Sequence, residues 1–182
     1  MKASYFYFLF LMVCTFTSCA IQEIRVNADG TATVNTSFSL ILAADSVVTM
    51  NELYAYYDSE VIEELNIGRD SSDAVVTFLT REVDSLGNYM DPLAGYTPQT
   101  VLTDDYFELI GPMGDANWED DICGCTNMLT YQLTLTFEKT IARIETENSY
   151  IKQLNAHQVL IDTSVGELNY NGVENRLKVY FK

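Results

Sequence analysis

Two cysteines separated by a single glycine are the residues of this chain best suited to covalent or metal chemistry. Cys123, Gly124 and Cys125 place two thiols close enough in the sequence to share a disulfide, to cycle in redox chemistry or to bind a soft metal. A disulfide closed over one residue would be strained and easily reduced. Structural zinc usually takes four ligands, so two sulfurs without a second cluster favour a disulfide or a thiol pair over a metal centre.

An acidic run just before these cysteines carries side-chain oxygens at alternate positions, as loops that bind hard cations do. The residues are Asp115, Asn117, Glu119 and Asp121. The run departs from an EF-hand, because Asp120 stands where the glycine belongs and Thr126 where the bidentate glutamate belongs. We interpret it as a solvated acidic loop, with calcium binding by these four residues as the alternative.

The residue types that build most hydrolases and metalloenzymes are scarce. The chain has one histidine, His157, which excludes a site with two histidine ligands, and a triad with Asp162 and Ser164 would depend on geometry that the sequence does not show. No nucleophile elbow, phosphate-binding glycine loop, dinucleotide fingerprint or zinc-protease motif is present. The sequence therefore predicts a non-catalytic protein without a cofactor.

The amino terminus predicts export. Lys2 precedes an unbroken apolar run over residues 5–13. A run of this length falls short of the roughly 20 residues that a membrane-spanning helix needs, and it is typical of a secretory signal peptide. An exported chain meets an oxidising compartment, where Cys123 and Cys125 would form a disulfide with each other or with another chain.

A lipid-attachment motif follows the apolar run, at Phe16, Thr17, Ser18 and Cys19. It resembles the lipobox of bacterial lipoproteins, in which a large apolar residue and two small residues precede the cysteine. In that family the thiol takes a diacylglycerol, the chain is cut before the cysteine and the new amine is acylated. The resemblance implies a signal peptide over residues 1–18 and an acyl anchor, such as palmitate, at Cys19. The alternative is an ordinary signal peptide cut after Ala20.

The charge balance restricts the partners. The chain has 10 Lys and Arg against 26 Asp and Glu, a formal net charge of −16, and no basic run. Nucleic acids and anionic lipid headgroups need a positive surface, so both are excluded as direct partners. Hydrophobic residues make up 48% of the chain, which is enough for a packed core in one domain.

Segments with the residue pattern of β-strands lie in both the first and the last part of the exported chain. Residues 22–26 and 31–42 predict a β-hairpin, because the second segment alternates apolar and polar residues and an Asp29–Gly30 pair favours a tight turn. Further strands are predicted at residues 74–80, 129–137, 158–162 and 177–181. Between the strands, apolar residues at helical spacing predict two helices, one over residues 47–65 and one over residues 141–154.

The middle of the chain lacks a regular pattern. Residues 82–128 hold all 3 prolines, and they contain many acids without any Lys or Arg. We expect an irregular, solvated acidic excursion there, with a short helix at residues 104–110 as an alternative for part of it. The predicted fold is therefore α+β, a single domain over residues 19–182 with a mainly antiparallel sheet that the hairpin opens and two helices.

The start of the exported chain also resembles small bacterial lipoproteins of the LppM-like kind. The resemblance rests on residues 23–32, EIRVNADGTA, where a strand, an Asp-Gly turn and a second strand follow directly behind the cysteine. It implies a non-enzymatic envelope protein, with an apolar cavity that can hold a lipid. The later order of a long strand, a helix and a closing strand fits the same pattern.

These features together predict a function at the cell envelope. Ala20 follows the lipobox, in place of the aspartate that is associated with inner-membrane retention in some Gram-negative bacteria, so the resemblance points to the outer membrane. We expect a non-catalytic lipoprotein there, facing the periplasm or the cell surface, that binds or scaffolds an envelope protein or a glycan. The alternative is a carrier of a lipid or another apolar ligand.

Overall fold

Strands in two sheets make up most of the chain that the structure describes. The computed structural model describes residues 18–39, 54–70, 73–89, 98–111, 130–164 and 176–182. Its strands are β1 (Ser18–Val26), β2 (Ala32–Ser39), β3 (Ile62–Asp70), β4 (Asp73–Thr80), β5 (Gln99–Leu102), β6 (Tyr106–Ile110), β7 (Thr130–Phe137), β8 (Ile141–Glu145), β9 (Ile151–Gln153), β10 (Gln158–Ser164) and β11 (Arg176–Phe181). Helical structure in these ranges is limited to one turn at residues 54–56 and a 3₁₀ helix at Val83–Tyr89. The predicted α+β class is therefore wrong, and the fold is β-rich.

The large sheet has seven strands in the order β3-β4-β2-β1-β7-β10-β9. The predicted hairpin is confirmed as β1 and β2, which pair antiparallel, and Gly30 takes the positive φ of 87° that its tight turn requires. β1 and β7 lie side by side and parallel, and the other neighbours in the sheet are antiparallel. β1 therefore lies in the middle of the sheet, with a partner strand on each side.

The small sheet has four antiparallel strands in the order β5-β6-β11-β8. One face of each sheet contributes to a common core, because apolar residues at alternate positions point the same way along a strand. Leu133 and Leu135 of the large sheet and Leu177 and Val179 of the small sheet are each almost fully buried in this core. The Phe107 and Phe137 rings join the two sheets directly, with 5.2 Å between their centroids.

The second predicted helix, over residues 141–154, is wrong. Ile141 and Ile144 lie on β8, and Ile151 lies on β9, so their helical spacing arises from two short strands separated by a turn. β8 pairs with β11 and β9 pairs with β10. These long-range pairings outweigh a local pattern of four apolar residues, because β structure is selected by neighbouring strands and burial more than by intrinsic preference.

The first predicted helix is also corrected. Residues 47–53 lie outside the described part of the chain, residues 54–56 form a single helical turn, and Ile62 already belongs to β3. Tyr57, which lies within the predicted helix, is buried against the Phe78 ring of β4 at 5.3 Å between centroids. Among the described residues of this segment, Tyr57 is buried in the core, and Ile62 and Leu65 pack against it from the edge strand β3.

The described part of the middle segment is mostly regular rather than irregular. The 3₁₀ helix, β5 and β6 all lie within residues 82–128, and the helix predicted as an alternative at residues 104–110 is a strand. Phe107 and Leu109 of β6 are buried in the core. Residues 90–97 and 112–128 lie outside the described part of the chain. Local acid content was a poor guide to β6, because Glu108 lies on the opposite face of the strand from Phe107 and Leu109.

Gly87 of the 3₁₀ helix gives a direct test of this packing. A Cβ atom at position 87 would overlap the carbonyl oxygen of Pro98, a backbone atom that cannot rotate away. We expect Gly87→Ala to lower the free energy of unfolding by about 1–3 kcal/mol, as overpacking typically does. Chemical denaturation would measure the loss, with Gly68→Ala as the control, since a Cβ there makes only an ordinary contact at 3.9 Å. Equal stability of the two variants would contradict the packing of the 3₁₀ helix on β5.

Candidate binding face on the small sheet

The outward face of the small sheet gathers charged and aromatic side chains from three adjacent strands. We call this set the cation–aromatic face; it consists of Tyr106 and Glu108 on β6, Arg176, Lys178 and Tyr180 on β11, and Arg143 and Glu145 on β8. The strand register places Lys178 between Glu108 and Glu145, and Tyr180 between Tyr106 and Arg143. Three of the 10 Lys and Arg residues of a strongly acidic chain are thus concentrated on one surface.

Cations hold the two tyrosine rings in place. The Lys178 Nζ lies 3.7 Å from the centroid of the Tyr106 ring and 5.5 Å from that of Tyr180. The guanidinium carbon of Arg143 lies 3.7 Å from the centroid of the Tyr180 ring. Each such contact contributes roughly 0.5–1 kcal/mol at an exposed site. The face is therefore ordered before any partner arrives, which lowers the entropy cost of binding.

A buried carboxylate lies at the centre of the face. The Glu108 side chain is 8% exposed, it accepts a hydrogen bond of 2.6 Å from Nε of Arg176, and its other oxygen lies 3.8 Å from Nζ of Lys178. Two cations thus offset the cost of desolvating one carboxylate. The Arg176 side chain remains 58% exposed, so part of its guanidinium faces solvent at the rim.

A second network orders the other side of the face. Glu145 pairs with Arg143 and accepts a hydrogen bond of 2.9 Å from the Tyr180 hydroxyl. These hydrogen bonds, from Arg143 first and then Tyr180, hold the pKa of Glu145 below its ordinary value. The hydrogen bond to Glu145 raises the pKa of Arg143 in turn. The pair is therefore charged at neutral pH, and it is lost only when the pH falls through the lowered pKa of Glu145.

A groove of about 710 Å³ opens beside the cation–aromatic face, lined by Arg176, Lys178 and Tyr180 and by the end of β8 with the residues after it. This volume lies within the range of small-molecule sites. Glu145 and Glu147 also line the groove, so it offers both charge signs together with an aromatic edge. Such a mixture suits hydrogen bonding to a polar partner.

The structure does not assemble His157, Asp162 and Ser164 into a triad. The His157 Nδ1 lies 3.2 Å from the backbone carbonyl oxygens of Phe137 and of Lys139, so the imidazole secures a turn. Ser164 ends the strand that begins beside His157, which separates the two residues by about 20 Å at the usual rise per residue. Within the described ranges there is no group of three or more potential metal ligands.

The other predicted site residues are placed only in part. Cys19 lies in β1. The thiol pair Cys123 and Cys125, and the calcium candidates Asp115, Asn117, Glu119 and Asp121, lie outside the described residues. The strand predicted at residues 177–181 is confirmed as β11, which carries Arg176, Lys178 and Tyr180. Sequence reasoning missed the cation–aromatic face, because the β8 segment was predicted to be helical and the β6 segment was expected to be irregular, with a short helix as the alternative.

The space between the two sheets bears on the lipid-carrier alternative. A cavity of about 10 Å³ lies there, lined among others by Val26, Leu102, Phe137 and Phe181. It can hold about one water molecule. The part of the core that the structure describes thus has no room for an acyl chain at this junction.

One solved structure resembles the chain across most of its length. It is the NMR structure of the LppM protein folded domain of Mycobacterium tuberculosis, with a TM-score of 0.54 over 90% of this chain and 88% of that domain. The two share a fold. Their sequences are 11% identical, so the similarity to LppM, a lipoprotein, concerns the architecture alone. No protein-family model matches the chain, and no curated protein matches it.

Proposed function

We propose that this protein is a non-catalytic lipoprotein of a Gram-negative-type cell envelope, anchored in the outer membrane through Cys19, with a binding or scaffolding role. The observation that carries the proposal is the position of Cys19, the cysteine of the lipobox, at the start of the first strand. Cys19 lies in β1, and the next residue, Ala20, already pairs with Phe38 of β2 and with Tyr131 of β7. Cleavage before Cys19 would remove only Ser18 from β1.

No helix among the described residues is long and apolar enough to cross a membrane. The architecture shared with LppM supports an envelope lipoprotein as well. The mature amino terminus tests the anchor directly: mass spectrometry of the protein purified from membranes should show a chain that begins at acylated Cys19. A chain that begins at Ile21 would instead show an ordinary signal peptide cut after Ala20.

The cation–aromatic face is the surface through which we propose that the protein binds its partner, an envelope protein or a glycan. Tyr and Arg are enriched where binding energy concentrates, and here they are ordered by their neighbours before binding. We expect Tyr180→Ala to weaken partner binding by roughly 2 kcal/mol, or about 30-fold, as loss of an interface hot spot does.

The partner would be identified by crosslinking in intact cells, and its recovery with each variant would then be compared. The matched control is Thr134→Ala, which truncates a half-exposed side chain on the outward face of the large sheet. Recovery should fall with Tyr180→Ala and remain unchanged with Thr134→Ala. Full recovery with Tyr180→Ala would exclude the cation–aromatic face as the binding surface.

A further inference from the structure

We propose that two copies of this chain associate through the open edge of β8, in a two-fold symmetric pairing that joins their small sheets into one continuous sheet. β8 lies at the end of the small sheet, and among the described strands it pairs with β11 alone. Ala142, Arg143 and Glu145 of β8 are exposed. An edge strand with unpaired backbone groups is a template for another strand. The charge pattern of β8 makes a second copy of β8 the strand that fits it.

The backbone groups of Ile144 face the open edge. Phe181 of β11 donates its N–H to the carbonyl oxygen of Asp105, on the β6 side of β11. Because successive residues of a strand direct these groups to opposite sides, those of Tyr180 face β8, where its partner is Arg143. Ile144 follows Arg143, so the N–H and C=O of Ile144 point away from β11. A second strand can therefore form hydrogen bonds with β8 at this residue.

The charged side chains of β8 are self-complementary. Arg143 and Glu145 lie on one face of the strand and carry opposite charges, and their side chains are 56% and 50% exposed. In an antiparallel pair with its two-fold axis at Ile144, each Arg143 lies directly opposite Glu145 of the second copy. The two Ile144 residues form the hydrogen-bonded pair at the axis, and the Arg–Glu pairs occupy the flanking positions, where side chains are closest. An axis at Arg143 or at Glu145 would instead set like charges opposite each other.

The other three sheet edges in the described part of the chain are covered, distorted or shorter. Asp84 of the 3₁₀ helix accepts the N–H of Leu102 and so covers β5. β3 has an irregular register around Glu64, which takes a positive φ of 54°. β9 has only three residues. The irregularity of β8 lies at Ala142 and leaves the next three residues in register with β11, so β8 is the edge best suited to pairing.

This pairing places both cation–aromatic faces on the same side of the joined sheet, because a two-fold axis perpendicular to the sheet does not exchange its faces. The two faces then adjoin at the axis, where Arg143 and Glu145 of each copy meet. A partner with two sites is held more tightly by two adjoining faces than by one, since the second contact is intramolecular. This consequence rests on the proposed binding function, whereas the pairing itself does not.

Register-specific crosslinking tests the pairing. Residues 19–182 would be produced with serine at Cys19, Cys123 and Cys125, and with one new cysteine, either Arg143→Cys or Glu145→Cys. Residues directly opposite in an antiparallel pair are about 4.5–5.5 Å apart between Cα atoms, which a disulfide can span. A mixture of the two variants should therefore form a disulfide-linked dimer under mild oxidation. Either variant alone should stay monomeric, because its two cysteines would be offset by two residues and about 8 Å apart.

Charge exchange gives a second test that leaves Cys123 and Cys125 in place. Arg143→Glu should raise the dissociation constant of the dimer roughly tenfold, because it sets acids opposite each other at two symmetric positions. The double variant Arg143→Glu/Glu145→Arg should restore the dimer. Analytical ultracentrifugation over a range of protein concentrations would measure both. Lys152→Glu is the matched control, since this exposed residue of β9 makes the same change in net charge and should leave the dimer unaffected.

The possible failures of this proposal and of the binding function are distinct. A mixture of Arg143→Cys and Glu145→Cys that forms no crosslink, or that crosslinks no more than each variant alone, would overturn the pairing. A dimer that withstands Arg143→Glu would do the same. Neither measurement involves a partner, so both leave the binding function untouched, and that function is tested separately by Tyr180→Ala.

Discussion

Replacing Cys19 with serine is expected to release the protein from the membrane fraction completely and to abolish its labelling with fatty acid. Each acyl methylene that enters the bilayer contributes about 0.8 kcal/mol, and two or more chains make attachment effectively permanent. A serine hydroxyl cannot form the thioether, so the whole of this free energy is lost. The measurement is fractionation of cells after a high-salt wash, followed by quantification of the protein in the pellet and in the supernatant.

Two other cysteine variants and the high-salt wash provide the controls for this experiment. Cys123→Ser and Cys125→Ser should both leave the protein on membranes, because neither thiol belongs to the lipobox. High salt removes proteins that are held by surface charge, a weak mode of attachment for a chain with a net charge of −16. If Cys19→Ser still fractionates with washed membranes, then another segment holds the protein there and the proposed anchor is wrong.

The strands in which apolar and polar residues alternate strictly could be predicted from the sequence, because the signal lies in consecutive residues. In β7, Tyr131, Leu133 and Leu135 are buried, while the alternate residues Gln132, Thr134 and Thr136 are half-exposed. The period of two can therefore be recognised from these residues alone. The Asp29–Gly30 turn likewise fixes its hairpin within a few residues. These elements need no information about distant parts of the chain.

The short strands could not be predicted in the same way. β8 has five residues, and only Ile141 among them is fully buried. Its apolar residues therefore do not distinguish a strand from a helix with one buried side. Its partner, β11, lies more than thirty residues further along the chain. The cation–aromatic face depends on this pairing and on that of β6 with β11, which is why the sequence showed one of its three strands and missed the face.

Phe137→Ala is expected to be the most destabilising of the core substitutions that this fold suggests. The ring is 2% exposed and lies 5.2 Å from the Phe107 ring and 5.4 Å from the Phe181 ring, between centroids. It therefore links the last residue of β7 in the large sheet to β6 and β11 of the small sheet. Truncation of a buried phenylalanine costs about 3–5 kcal/mol, because it removes apolar burial and leaves a cavity.

That loss is a large share of the roughly 5–15 kcal/mol by which a domain of this kind is stable, so the melting temperature should fall by about 10 °C or more. The measurement is thermal and chemical unfolding in the soluble Cys19→Ser background, with Leu154→Ala as the control, since that side chain is 51% exposed and should change stability little. Phe107 of β6 and Phe181 of β11 would both lose a ring contact, so the small sheet should be affected directly. A loss of less than about 1 kcal/mol would mean that the two sheets are not packed around Phe137.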